Sequence, residues 1–211
     1  MEFLFPPRPL SKILPARLPQ YAKAPWLAQP KYNGTRNLIH VYPDGTVKAW
    51  MRQGEPHKQW EMSDEIKEQI LSLELEKGQE YWFDSELLHN KTTTKHYKNR
   101  IVLFDVLWAG RYLFKRPSLQ GRYDLLCRIC GNPTKRETQN GIAISVSKNL
   151  WLAPMIQPAD FQQAYNEFLH LDEIEGLVLK KANSSLDNFG RKYYEVGWQL
   201  RCRKPHKNYT F

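Results

Sequence analysis

Trp26-Leu27-Ala28-Gln29-Pro30-Lys31-Tyr32-Asn33-Gly34-Thr35-Arg36 places a lysine just after an apolar run, at a glycine turn, with a second strand pattern beginning beyond it. A primary amine is nucleophilic only when unprotonated. With an unperturbed pKa of ~10.4, such a lysine needs desolvation or neighbouring cations to become so, and Arg36 is a cation close by in sequence. Taken alone, the hexapeptide Lys31 to Arg36 is weak evidence, since a surface lysine beside such a glycine turn is common.

Downstream, Leu38 to Tyr42 and Thr46 to Arg52 are strand patterns joined by the hairpin signal Pro43-Asp44-Gly45. Ser63 is an N-cap for a helix running to about Leu73, with Ile66, Ile70 and Leu73 as its apolar stripe. Tyr81 to Leu88 and Ile101 to Trp108 read as strands, the second almost wholly apolar except for Asp105. A charge there requires a partner. Pro117 to Cys130 reads as a helix ended by Gly131-Asn132-Pro133, and Ile142 to Val146 as a short strand. Asp160 to Leu169 reads as a helix, and Gly176 to Lys181 and Glu195 to Arg203 as strands. Hairpins outnumber plausible crossovers, so the fold class expected is α+β.

Seven prolines fall in residues 1–30, which read as an extended arm or irregular cover. Residues 1–28 form the extended N-terminal segment of a single domain spanning 1–211. At 211 residues and 41% apolar content, with seven Trp, eleven Tyr and nine Phe, the chain has material for one core and is not disordered. Lys and Arg number 31 against 22 acidic residues, a net charge of +9 that favours polyanionic partners. No run of about 18 apolar residues and no secretory leader pattern is present. The expectation is an intracellular soluble protein without membrane partners, in the cytoplasm or nucleoid of a prokaryotic or viral setting. Cys127 and Cys130 share a helix face and read as buried or half-buried thiols rather than zinc ligands.

Polar groups recur at strand ends and inside apolar strands: Lys31 to Arg36, Arg52, Asp84 to Glu86, Phe104-Asp105, Glu175 to Lys181 and Arg201 to Lys204. Cations to neutralise phosphate, carboxylates to hold Mg²⁺ and an aromatic face for a base would together suit a nucleoside triphosphate. The chain lacks Gly-x-x-x-x-Gly-Lys-Ser/Thr and Gly-x-Gly-x-x-Gly, so neither the P-loop nor the dinucleotide and kinase glycine loops apply.

In this order the segments resemble the motifs of the covalent nucleotidyltransferases, the superfamily of ATP-dependent DNA and RNA ligases and messenger-RNA capping enzymes. Lys31-Tyr-Asn-Gly-Thr-Arg36 resembles the family's Lys-x-Asp/Asn-Gly-x-Arg, which implies that Lys31 attacks the α-phosphorus of ATP and that Arg36 binds ribose or phosphate. Gln29 stands where ligases usually place a Glu against the exocyclic amine of the base. Arg52-Gln-Gly54 is similar to Ser-Arg-x-Gly, with Met51 for Ser, and implies contact of Arg52 with an acceptor 5′-phosphate. Asp84-Ser85-Glu86-Leu87 resembles Asp-Gly-Glu-Leu, with Ser85 for Gly, placing Glu86 at the ribose or a metal. Phe104 would stack on the purine. Glu175-Gly-Leu-Val-Leu-Lys180 matches the fourth motif closely, implying Mg²⁺ (or Mn²⁺) binding by Glu175 and phosphate or adenylate contact by Lys180. Arg201 and Arg203 stand for the Lys-x-Lys of the fifth motif.

The resemblance implies a nucleotidyltransferase (adenylation) domain with two mainly antiparallel sheets around a nucleotide groove. The function implied is an ATP-dependent polynucleotide ligase, with nicked DNA favoured, joining 5′-phosphate and 3′-hydroxyl ends through lysyl-AMP. RNA ligase, GTP-dependent capping guanylyltransferase and a non-catalytic basic nucleic-acid-binding domain are the alternatives. Lys204 and the basic runs 91–100 and 201–207 are expected to flank the nucleic-acid path of a monomer. Seven residues follow Lys204, too few for the oligonucleotide-binding barrel that commonly follows in these enzymes.

Overall fold

The computed structural model describes residues 3–88, 97–110, 117–133, 141–186 and 195–205. Among them are β1 (Arg8–Ile13), β2 (Trp26–Tyr32), β3 (Thr35–Val41), β4 (Val47–Met51), α1 (Asp64–Leu71), β5 (Tyr81–Leu88) and β6 (Arg100–Ala109). These are followed by α2 (Leu119–Ile129), β7 (Ile144–Ser145), β8 (Leu150–Leu152), α3 (Phe161–Phe168), β9 (Ile174–Lys181) and β10 (Glu195–Arg203). The first sheet has the order β1-β10-β9-β2 and the second β4-β3-β5-β6-β8-β7. This is the α+β, two-sheet architecture expected. Antiparallel pairs dominate it, but β1 runs parallel to β10 and β6 parallel to β8.

The N-terminal segment is more ordered than its prolines suggest. Pro9 lies in β1, an edge strand, where a missing N–H can face outward without breaking a ladder. A 3₁₀ helix over Pro15–Tyr21 then buries Leu18 completely. β2 extends to Tyr32, beyond the apolar run Trp26 to Gln29, because Pro30, Lys31 and Tyr32 continue the pairing with β9. The strand expected over Ile142 to Val146 shortens to β7, and β8, three residues long, is too brief to register as a pattern in sequence.

Helices form where caps and stripes coincide. Ser63 Oγ accepts from the Ile66 amide (3.4 Å), and Asp64 and Glu65 in the first turn oppose the helix dipole. This helix stops at Leu71, two residues before the expected Leu73, whose amide makes a tightened bond to the Ile70 carbonyl (3.2 Å). Ser118 caps α2 by accepting from the Gly121 amide (3.2 Å), and left-handed Gly131 and Asn132 end it. Cys130 is buried and Cys127 half-buried, and burial pushes the Cys130 thiol up to about 12.

Both sheets have one face covered by helices. α1 and α2 pack on the second sheet over Ile39, Phe83, Leu87, Ile101 and Leu103, and α3 packs behind the first over Leu177, Leu179 and Cys202. Each fully buried side chain of this kind stabilises by roughly 1.5–3 kcal/mol. The uncovered faces turn toward each other and form the walls of the site. Among the described residues no helix is long and apolar enough to cross a membrane.

Asp105 has the partner its position requires. Arg122 of α2, fully buried, meets it with two parallel bonds, Nε to Oδ1 at 2.9 Å and Nη2 to Oδ2 at 3.0 Å, and Nη1 donates to the Pro117 and Ser184 carbonyls at 3.1 and 3.2 Å. Removing one member leaves a buried charge uncompensated. Arg122→Met is therefore expected to destabilise the fold by about 3–5 kcal/mol in denaturant unfolding, and a loss under 1 kcal/mol would refute this role.

Candidate active site

A cavity of about 400 Å³ lies between the open faces of the two sheets. Its first wall follows from strand register. Lys31 pairs with Gly176 and Gly176 with Arg203; Gln29 pairs with Val178 and Val178 with Arg201; Lys180 pairs with Gln199. Residues two apart share a face, so Gln29, Lys31, Lys180, Arg201 and Arg203 all reach the cavity.

Glu175 breaks that alternation. It is the neighbour of Gly176, and strict parity would send its side chain toward the buried face of Leu177 and Leu179. Between Lys31 and Tyr32, however, the register shifts: Lys31 pairs with Gly176 and Tyr32 with Ile174, leaving Glu175 as the extra residue of a bulge. The bulge turns its carboxylate into the cavity, where Oε2 meets Lys31 Nζ in a short ion pair and lies 3.4 Å from Arg203 Nε. Gly176 makes this possible. Its φ of +133° and its closeness to β10 exclude a side chain, since a Cβ there would lie 2.1 Å from the Cys202 carbonyl oxygen.

The second wall has a matching device. Asp84 pairs with Asp105 but Ser85 with Leu103, so Phe104 is the extra residue of a bulge in β6. The ring of Phe104 faces the cavity, with Arg36 4.9 Å and Lys180 5.0 Å from its centroid. Glu86, paired with Arg36 across β3 and β5, reaches the same space. Gly34 lets the turn before β3 close on β5: a Cβ there would sit 2.5 Å from the Leu87 carbonyl oxygen and 2.7 Å from Glu86 Cγ.

Arg36 is held by a residue to which the sequence reading assigned no role. Asp84, 2% exposed, grips its guanidinium bidentately through Nε and Nη2. Burial works against the charge on Arg36, and the Asp84 carboxylate more than restores it. Ser85 has a local reason. Its hydroxyl donates to the Asn37 carbonyl (2.7 Å) and accepts from Asn37 Nδ2 (3.0 Å), while Asn37 Oδ1 meets His57 Nε2 at 2.8 Å. This buried network ties the segment after Arg52 to the wall. Arg52 follows β4 in a turn closed by the Gly54 amide on the Met51 carbonyl (2.9 Å), and both Met51 and Arg52 line the cavity.

Lys180 is the deeply buried lysine of the cavity. It is 4% exposed, its ammonium donates to Gln29 Oε1 at 2.6 Å, and the Gln29 amide donates to the Phe104 carbonyl at 3.3 Å. Burial lowers its pKa to about 8, with Asp105 and Asp84 raising it and Arg36 and Arg122 lowering it.

Ten of the eleven candidate residues thus border one cavity. Lys204 does not: its ammonium donates to the Leu171 carbonyl at 2.6 Å, beyond the end of α3. Most of the run 91–100 and the end of 201–207 fall outside the described residues, and Arg100, which is described, faces Trp151 (5.7 Å to the centroid). Arg8 of β1 and Gln199 of β10 also line the cavity. Neither lies in a recognisable motif, and Arg8 arrives only through the parallel pairing of β1 with β10.

Glu86 and Glu175 offer hard oxygen donors. Two carboxylates suit an ion of the Mg²⁺ type, which takes its other ligands from phosphate and water; among the described residues no cluster of three His, Cys, Asp or Glu groups fit to hold an ion occurs.

No sequence-family model and no curated protein matches this chain. Solved structures do match it. The mycobacterial DNA ligase D complexed with ATP and MES aligns at TM-score 0.64 and 13% identity, over 94% of this chain and 60% of that one. The ATP-dependent DNA ligase from bacteriophage T7 in complex with ATP aligns at 0.55 and 12% identity, over 92% and 67%. Chlorella virus DNA ligase-adenylate aligns at 0.51 and 17% identity, over 93% and 67%. These matches establish the adenylation-domain fold. The chain spans about 60% of the mycobacterial chain and about half of some other matches.

The bulge gives the first test of the site. Gly176→Ala is expected to cost about 1–3 kcal/mol in thermal or denaturant unfolding, whereas Gly197→Ala, an exposed position where an added Cβ meets no neighbour, should change stability by about 0.5 kcal/mol or less.

Proposed function

We propose that this chain is the nucleotidyltransferase unit of an ATP-dependent polynucleotide ligase, with nicked duplex DNA as its substrate. The observation that carries the proposal is the contact of Lys31 with Glu175 in a cavity that also holds the Phe104 ring flanked by Arg36 and Lys180. The fold shared with DNA ligases solved with ATP or as the adenylate supports it.

In this reading the Lys31 Nζ lone pair forms a bond to the α-phosphorus of ATP as the bond to the bridging oxygen breaks. Pyrophosphate leaves, and the lysyl proton passes to Glu175 or solvent. A 5′-phosphate oxygen then displaces Lys31 from the adenylate phosphorus. Finally a 3′-hydroxyl oxygen bonds to the 5′-phosphorus as its bridge to the adenylate breaks, so AMP leaves, the hydroxyl proton passes to solvent and a phosphodiester remains. Phe104 supplies a face for the purine, Arg36 and Lys180 neutralise nucleotide oxygens, and Arg201 and Arg203 offer further cations to the phosphates. Mg²⁺, held by Glu86 and Glu175, would withdraw charge from the phosphates. Arg52, at the cavity rim next to β4, is the contact for the acceptor 5′-phosphate. Such an enzyme acts inside the cell, as a monomer, on nicked or broken ends.

Incubation with α-labelled ATP and Mg²⁺, followed by denaturing electrophoresis, should give a labelled band that Lys31→Ala abolishes. A band of equal strength in that variant would remove the assignment, and labelling by GTP alone would favour the capping chemistry. Arg52→Ala should keep self-labelling while slowing the sealing of nicked DNA by about ten- to a hundredfold, the loss of one charge-assisted phosphate contact. Faster sealing of nicked RNA than of nicked DNA would reverse the choice of substrate.

A further inference from the structure

Gln29 occupies the position from which the family resemblance expects the nucleobase to be read, yet its carboxamide is engaged at both ends within the protein. Oε1 accepts from Lys180 Nζ at 2.6 Å and Nε2 donates to the Phe104 carbonyl at 3.3 Å. An ammonium can only donate, so Lys180 fixes which end of the amide faces it. Gln29 borders the cavity but is only 2% exposed, so little of its side chain is left free there.

We infer that Gln29 is a positioning residue that ties Lys180 to the backbone of Phe104 and is thereby withdrawn from reading the base. The inference rests on the adenylation reading for its consequence in catalysis, and on geometry alone for its structural part. Strand register explains the linkage. Gln29 and Lys180 lie on adjacent paired strands, while Phe104 comes from the other sheet at its bulge. One side chain therefore spans the cavity's two walls.

A neutral partner has an electrostatic consequence. The charged groups acting on Lys180 are Asp84 of β5 and Asp105 of β6, which favour its proton, and Arg36 of β3 and Arg122 of α2, which oppose it. Each of these carboxylates is committed bidentately to one of these arginines. The arginines offset part of the carboxylates' pull, Gln29 adds no charge, and burial is the largest influence. Glu86 and Arg201 share the cavity with Lys180. The ammonium is present below a pH of about 8 and is lost above it, so its hold on phosphate weakens as pH rises through that value.

Lysine-selective ¹³C labelling tests the structural part without any reaction. The expected result is one lysine signal titrating near 8, absent in Lys180→Met and moved upward by about one unit or more in Gln29→Glu, where a carboxylate faces the ammonium. A titration unchanged in Gln29→Glu overturns the inference. The pH dependence of self-labelling tests the catalytic part: the KM for ATP should rise above pH 8 in the wild type and only at higher pH in Gln29→Glu, with the ATP to GTP preference altered by less than threefold. A tenfold change in that preference with an unmoved pH limb would make Gln29 a base reader and overturn the inference. Absence of any label from the wild type at every pH would instead sink the proposed activity, leaving the lysine titration to judge the link between Gln29 and Lys180.

Discussion

A β-strand delivers every second side chain to one face, and this rule is what the site has to overcome. The cavity needs Lys31, Lys180 and a carboxylate on the same wall, but Glu175 and Lys180 are five residues apart and so of opposite parity. One extra residue in β9 resolves the conflict, turning Glu175 toward Lys31 while Leu177 and Leu179 stay in the core. Gly176 is the backbone condition for that bulge, because β10 passes where any side chain would stand. The same device in β6 lets Phe104 face the cavity and the adjacent Asp105 reach its arginine.

Concentrating charge in a half-buried space is costly unless each charge is satisfied. Here the charges are satisfied in layers. At the cavity surface, Glu175 lies between Lys31 and Arg203. Behind it, Asp84 holds Arg36, and further back Arg122 of α2 holds Asp105. Lys180 is the exception, receiving a neutral amide oxygen. A polar network of this kind limits the movement of its members, and that fixity is what an electrostatic site requires if donors are to be in place before charge develops.

The helices and the N-terminal strand serve the cavity indirectly. α2 carries Arg122, and α3 backs the first sheet so that β9 and β10 have one dry face and one polar face. Through its pairing with β10, β1 brings Arg8 and Pro9 to the cavity edge. Packing and chemistry are joined at the strand level: each wall is one face of a sheet whose other face is core.

The sequence by itself determined the element types, the α+β class and a set of polar residues out of place in apolar strands. Caps, apolar stripes and turn residues are local signals, so Ser63, the Asp44-Gly45 hairpin and the limits of β5 were legible without contacts. The ordered motifs also pointed to ten residues that share the cavity, because the proposed nucleotide chemistry calls for those residue types. Tertiary structure alone decided the rest. Asp84 and Arg122 became visible as partners only when strands and helix came together, and β1 and β8 only through parallel pairing with strands distant in sequence. Lys204 left the site because its ammonium is bound beyond α3. The bulges at Glu175 and Phe104 violate the periodicity by which a strand is read, so no pattern could announce them, and Gln29 shows the same limit: its position was visible in the sequence, but only the meeting of two sheets showed what its amide holds.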